Sequence, residues 1–251
     1  MKLKTKYNVF CQDNLELLKS QPDESVDLIY CDILYGTGRN FGDYQDLKPI
    51  RSEIEAHYLP RLKEMHRVLK STGSIYLQMD TRINHWMRIL MDDVFGYDNF
   101  RNEIIWSYDW GNRTEKWNAK HDTILFYSKT NKYILTPEKV KRNIKDSTIK
   151  RMKYKGAMIK DNLTYPTCVW DIPTINGMAK ERVGYATQKP KSLIERIIKA
   201  SSNEGDTVAD YYLGSGTTAV VCKELNRNFI GCDINPKAIE ITKNRLSDVS
   251  L

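Results

Sequence analysis

Two stretches of this chain carry residue types that could do chemistry. The first is Asp32-Ile33-Leu34-Tyr35, which follows the apolar, β-branched and aromatic run 26–30. The second is Asp210-Tyr-Tyr-Leu213-Gly214-Ser215-Gly216-Thr217-Thr218, which follows the short run 207–209 and precedes a helical pattern over 219–225. Strand, glycine turn, helix is the arrangement in which backbone N–H groups meet a nucleotide-like ligand. Gly214 and Gly216 let the chain turn tightly and let a ligand approach the backbone. Asp233 lies 17 residues beyond Gly216, at the end of the short strand 228–232, a spacing at which an acid can bind ribose hydroxyls. The glycine pattern alone also fits the dinucleotide turn of a dehydrogenase.

The elements that must position these groups follow from the spacing. Only 33 residues come after Thr218, and they hold one helix, one strand and a last helix over 236–246. Two strands do not make a stable doubly wound sheet, so the other strands must precede the glycine turn. The expected architecture is therefore an α/β, circularly permuted nucleotide-binding sheet. Upstream, strands are expected at 7–11, 26–30, 74–79, 102–108 and 123–127, and helices at 15–19, 52–69 and 83–94. Strands 102–108 and 123–127 read as an antiparallel hairpin at the sheet edge. The glycine-rich residues 36–44 read as a loop, open to motion. A further helix begins near Ser192, a candidate cap, with Leu193, Ile194, Ile197 and Ile198 as its apolar stripe.

The net charge of +7 is concentrated. Residues 131–182 hold 12 Lys/Arg against 5 Asp/Glu, while the rest of the chain is balanced at 27 of each. This segment has no clear period and mixes basic residues with Tyr133, Tyr154, Tyr165 and Trp170, so it reads as an insert outside the sheet. Such a local excess suggests a polyanion-binding surface; a solvated lysine-rich loop region is the plainer alternative. Three parts are expected: 1–130, a basic insert at 131–182, and 183–251 returning to the same sheet. Five cysteines without a C-x-x-C pair argue against a disulfide framework or a zinc site and fit a reducing, cytoplasmic setting. No apolar run approaches a membrane span, and the basic start lacks the apolar region of a signal peptide. His57, His66, His85 and His121 show no metal-ligand spacing and are read as structural.

Taken together, Asp32-Ile-Leu-Tyr-Gly-Thr-Gly38, the glycine motif 210–218, Thr187-Gln-Lys189-Pro190, residues 25–29, 102–106 and 121–127 resemble the amino-group DNA methyltransferases that use S-adenosylmethionine. The order, with the catalytic block first, target recognition next and the cofactor motif last, resembles their β class. The likeness runs from about Asn8 to Leu246, leaving out most of the basic segment. It implies a Rossmann-like, mainly parallel seven-stranded sheet with an antiparallel edge hairpin and a small target-recognition insert. The family tetrapeptide is Asp-Pro-Pro-Tyr; here Ile33 and Leu34 replace both prolines. That removes the stiffness proline supplies and is expected to put bulk where a base would stack.

An exocyclic amine is a poor nucleophile because its lone pair is delocalised into the ring. The enzyme needs an acceptor for an amino hydrogen, and Asp32 is the expected one. A carbonyl in the turn, that of Ile33, is placed to take the other hydrogen, and Tyr35 to stack on a base flipped from the duplex. By resemblance, the S-adenosylmethionine pocket comprises Asp13, Asp32, Thr187, Lys189, Pro190, Asp210, Leu213, Gly214, Ser215, Gly216, Thr217, Thr218 and Asp233. Asp13 would lie near the adenine, or simply cap the helix after it. Trp106, Tyr108 and Trp110 read more readily as core or edge-strand residues than as base-stacking ones.

Aspartate at the head of the tetrapeptide favours adenine N6 over cytosine N4, which stays open. So do a catalytically weak DNA-binding relative and, less favoured, an NAD-dependent oxidoreductase. Double-stranded DNA is the implied partner. The family likeness also suggests a homodimer, and a cognate restriction endonuclease is compatible with it.

Overall fold

The computed structural model describes residues 5–40, 45–109, 117–144, 149, 154 and 162–249. Its centre is an eight-stranded sheet. The strands are β1 (Tyr7–Cys11), β2 (Val26–Asp32), β3 (Leu69–Met79), β4 (Phe100–Ser107), β5 (His121–Ser128), β8 (Val169–Asp171), β9 (Thr207–Asp210) and β10 (Asn228–Asp233). Across the sheet they run β1-β10-β9-β2-β3-β5-β4-β8, and a two-stranded pair, β6 (Arg142–Asn143) with β7 (Leu163–Thr164), lies apart. Only β5 runs antiparallel to its neighbours in the large sheet.

β9, the strand of the glycine turn, pairs with β10 on one side and with β2 on the other. Strand order departs in both directions from the β9–β2 junction, so the crevice at the carboxyl ends of these strands is the expected ligand site of an open α/β sheet. The late strand β9 thus sits mid-sheet, as a circular permutation requires.

β2 is buried on both faces, and its side chains alternate: Leu28 and Tyr30 join one apolar cluster, Ile29 and Cys31 the other. The Ile29 face is covered by α1 (Asn14–Ser20), α2 (Arg51–Val68) and α3 (Asn84–Phe95). The Leu28 face is covered by α4 (Lys191–Ser201), α5 (Thr217–Glu224) and α6 (Pro236–Asp248). The predicted stripe of α4 is fully buried there, each side chain contributing about 1.5–3 kcal/mol.

Five expectations need correction. The sheet has eight strands, not seven, because Val169–Asp171 of the basic segment pairs in parallel with Ile105–Ser107. Residues 131–182 are therefore not wholly outside the sheet, and the β4–β5 hairpin is not its edge. Three residues are too few to show a period, which is why β8 was invisible. Ser192 does not cap α4; Pro190 is the cap residue, and the Glu181 carboxylate accepts from the Lys191 N–H at that end (3.0 Å). The strand expected at 74–79 begins at Leu69, directly after the helix expected at 52–69.

Among the described residues, no helix is long and apolar enough to cross a membrane.

Candidate active site

Asp32 is the last residue of β2, and its register partner on β3 is Gln78. Its carboxylate accepts hydrogen bonds from Tyr35 Oη (2.7 Å) and Lys189 Nζ (2.5 Å). Burial pushes the Asp32 carboxyl above the ordinary carboxylate range, and the Lys189 ammonium opposes that shift. Lys189 comes from the segment just before α4, so this ion pair ties the two sequence-distant halves of the sheet together.

The turn after Asp32 shows what holds it without prolines. The Ile33 N–H donates to the Gln78 carbonyl (3.0 Å), a bond proline has no hydrogen to make. Tyr58 Oη donates to the Leu34 carbonyl (3.0 Å). Ile33 is 3 % exposed and belongs to the apolar cluster beneath α2. Leu34 packs against the same cluster. Most of the bulk expected to crowd a stacked base is therefore turned into the core, although both residues keep an edge on the cleft. Tyr35, expected to stack, has its hydroxyl engaged on both sides, with Asp32 and with Asp122 Oδ2 (2.6 Å). The following loop is tied down by Asp46, which accepts from the Gly36 and Thr37 backbone N–H groups and the Thr37 hydroxyl.

The glycine turn is built around two acids, one buried and one half-buried. Asp210 ends β9; its carboxylate accepts from the Thr218 hydroxyl (2.6 Å) and the Tyr212 N–H (3.0 Å). Burial pushes its carboxyl up to about 7. Asp233 ends β10 and receives the N–H groups of Gly214 (2.8 Å) and Asn235 (2.9 Å); burial raises it as well. Gly214 has φ +51° and Gly216 φ +75°. A Cβ on Gly216 would lie 2.3 Å from Thr242 Oγ1, so this glycine lets α5 approach α6. Arg245 of α6 donates to the Ser215 carbonyl (2.7 Å) and braces the turn from behind.

Both halves open on one cleft. Asp13, Asp32, Ile33, Leu34, Tyr35, Thr187, Lys189, Asp210, Leu213, Gly214, Ser215, Thr217, Thr218 and Asp233 all line it. Of the residues expected there, Pro190 and Gly216 do not: the first starts α4, the second packs against α6. Asp13 caps α1 through the Leu15 N–H (2.8 Å) and pairs with Arg61 (2.8 Å), so capping and pocket position coexist. The donor set suits a nucleoside bearing a cation. Carboxylates of Asp13 and Asp233 can accept from hydroxyl and amine groups, Asp32 and Asp210 supply negative potential, and Gly214 allows close backbone approach.

Sequence reasoning missed several contributors. Asp122, Gln78 and Tyr30 form a buried polar chain behind Asp32. Arg61, His57 and Tyr212 wall the Asp13 side, where burial and then Arg61 lower the His57 imidazole to about 4. Asp122 lies one residue before the strand expected at 123–127, and nothing local marked its side chain as facing the site. Trp106 is buried and donates to the Ile172 carbonyl (2.7 Å), a core role, whereas Tyr108 donates to Asp122 (3.0 Å). Trp110 and residues 41–44 lie outside the described residues.

Comparison with known proteins agrees with this geometry. The chain is 36 % identical over 240 residues to the type II methyltransferase M.HpaI of Haemophilus parainfluenzae, covering 95 % of this chain and 73 % of that protein. It is 31 % identical over 245 residues to the DNA adenine methyltransferase YhdJ of Escherichia coli K12, covering 95 % and 82 %. Its fold matches that of the PvuII DNA methyltransferase (cytosine-N4-specific), with TM-score 0.73 at 19 % identity over 98 % of this chain and 89 % of that one. It also matches M1.HpyAVI in complex with SAM, with TM-score 0.63 at 19 % identity over 95 % and 99 %. The DNA methylase family model for N6 and N4 methyltransferases matches residues 26–244. With that model spanning most of its length and a site assembled from sequence-distant parts of the chain, the chain belongs to the N6/N4 DNA methylase family.

Proposed function

We propose that this protein transfers a methyl group from S-adenosylmethionine to the N6 amino group of adenine within a specific sequence of duplex DNA. The observation that carries the reading is the shared cleft: the Asp32 carboxylate and residues 213–215, 217 and 218 of the glycine turn face one cavity. Bound there, S-adenosylmethionine supplies an electrophilic methyl sulfonium. Asp13 and Asp233 hold its polar groups, and the half-buried Asp32 and buried Asp210 favour its positive charge. Asp32 accepts a hydrogen of the target amine, which concentrates negative charge on the nitrogen. The Ile33 carbonyl takes the second hydrogen. The target base reaches this depth only when flipped out of the helix, and the remaining acceleration comes from holding two substrates in line.

The basic segment 131–182 supplies phosphate contacts, so binding to duplex DNA falls steeply with salt. Adenine is favoured by the aspartate at position 32 and by the likeness to YhdJ, a DNA adenine methyltransferase by name. Cytosine N4 is the competing target, since the fold also matches a cytosine-N4-specific enzyme. Mass spectrometry of nucleosides from treated duplex DNA separates the two products. N6-methyladenine that disappears with Asp32→Ala is the expected result. N4-methylcytosine would reassign the target, and no transfer by the unmodified protein would favour a DNA-binding relative of low turnover. A duplex affinity that stays flat across a salt titration would remove the basic segment from the interface.

A further inference from the structure

Behind Asp32 lies a second carboxylate that the reaction as described does not use. Asp122, on β5, is 4 % exposed. Its Oδ2 lies 2.6 Å from Tyr35 Oη, and the same hydroxyl lies 2.7 Å from Asp32 Oδ1. The remaining partners of Asp122 are donors: Gln78 Nε2 at 2.8 Å on Oδ2 and Tyr108 Oη at 3.0 Å on Oδ1. Gln78 is itself oriented by Tyr30, whose hydroxyl donates to its Oε1 (2.7 Å). The groups facing the pair are thus Tyr30 from β2, Tyr35 from the turn, Gln78 from β3, Tyr108 after β4 and the carboxyl of Asp210 at the end of β9. Lys189 pairs with Asp32 and lies 5.2 Å from the Tyr35 ring centroid.

A phenol has one proton and here meets two carboxylate oxygens. With both acids ionised, one of the two short contacts sets a lone pair against a negative oxygen in a buried site. Both contacts become hydrogen bonds once the trio gains one more proton, with Asp32 O–H donating to Tyr35 and Tyr35 donating to Asp122. One added proton can thus be held between the two carboxylates through the phenol.

We propose that Asp122 is the second half of a proton-sharing carboxylate pair, bridged to Asp32 through the Tyr35 hydroxyl, that takes up the proton lost by the target amine. The inference rests on Asp32 being the amine acceptor. As the amine nitrogen forms its bond to the methyl carbon, the electron pair of the broken carbon–sulfur bond stays on sulfur and the N–H proton passes to Asp32. Asp32 then donates to Tyr35 Oη while the tyrosine's own proton moves to Asp122 Oδ2. One proton enters, one arrives, and the phenol is restored. The proton leaves to solvent after the product departs. Asp122 touches no substrate; it is a positioning residue that acts through Tyr35.

The test reads carboxyl titration directly, by carbon-13 NMR of aspartate-labelled protein without ligands, alongside single-turnover methyl transfer to duplex DNA across pH. Asp122→Asn removes the neighbouring negative charge. The Asp32 midpoint and the acid limb of the rate profile then both move down by about half a unit or more. The plateau rate falls about tenfold or more, while S-adenosylhomocysteine still raises the melting temperature as in the unmodified protein. Tyr108→Phe removes a donor from Asp122 without touching Asp32, and the pair keeps its proton to higher pH, so both readouts move up. Unchanged midpoints and limbs in both variants overturn the proposal. If Asp122→Asn does not fold, Tyr108→Phe decides alone. Asp32→Asn separates the two layers: transfer at the unmodified rate would remove Asp32 as acceptor, whatever Asp122 does.

Discussion

Lys189→Met is the most informative single change outside Asp32 itself. Lys189 Nζ lies 2.5 Å from Asp32 Oδ2, and the two side chains are only 14 % and 18 % exposed. A charge-assisted hydrogen bond in such a position contributes about 1.5–3 kcal/mol, and one pKa unit corresponds to about 1.4 kcal/mol. Burial already raises the Asp32 carboxyl, and Lys189 is the largest influence lowering it. Removing the ammonium therefore raises Asp32 by a further one to two units or so. The substitution does not strand a naked buried charge, because the carboxyl can take a proton, and this caps the loss of stability.

The sign follows from linkage. A carboxyl whose folded-state pKa lies above its unfolded value binds more protons when folded. The variant's stability deficit is then small below the unfolded value. It grows as pH rises toward the folded value and levels off beyond it. Activity should follow the ionised fraction: the acid limb of single-turnover methyl transfer moves up by about one to two pH units, with a recoverable rate at high pH. The assay is methyl transfer from labelled S-adenosylmethionine to duplex DNA, paired with thermal melting across the same pH range. An acid limb that stays in place while the rate falls uniformly would refute the reasoning, because Lys189 would then not govern the protonation of Asp32.

Three further outcomes follow from the geometry. Gly216→Ala places a methyl 2.3 Å from Thr242 Oγ1 at a φ of +75°, and urea unfolding should show a loss of about 2–4 kcal/mol. Ile33→Pro, which looks like a restoration of the family motif, removes the N–H that satisfies the Gln78 carbonyl; a loss of about 1–3 kcal/mol is expected in the same measurement. Asp210, pushed up to about 7 by burial, makes the folded state lose stability as pH rises from the ordinary carboxylate range toward neutrality. Asp210→Asn should flatten that slope between about pH 5 and pH 7, read as urea midpoints, and a slope unchanged from the unmodified protein would count against a raised Asp210.

How legible the molecule was depends on the range of the interaction concerned. The β-branched and aromatic run 26–30, the stripe 193–198 and the turn 210–218 are local patterns, and each formed the element that it implied. The permuted order was readable for the same reason: too few strands follow the glycine turn to make a sheet. Residue types alone marked Asp32, Asp210 and Asp233 as acids at strand ends, and the folded chain places all three on one cleft.

Only the tertiary structure decided what those acids touch. Asp32 meets Lys189 across 157 residues, and Tyr35 meets Asp122 across 87. Such pairings leave no period in the sequence, because they depend on which strands become neighbours and in what register. The same holds for the side to which Ile33 turns. A sequence shows that the prolines are missing, but not that a β3 carbonyl and the Tyr58 hydroxyl hold the turn in their place. Local chemistry specified the parts and their order, and packing of the two helical layers on one sheet determined which polar groups share a proton.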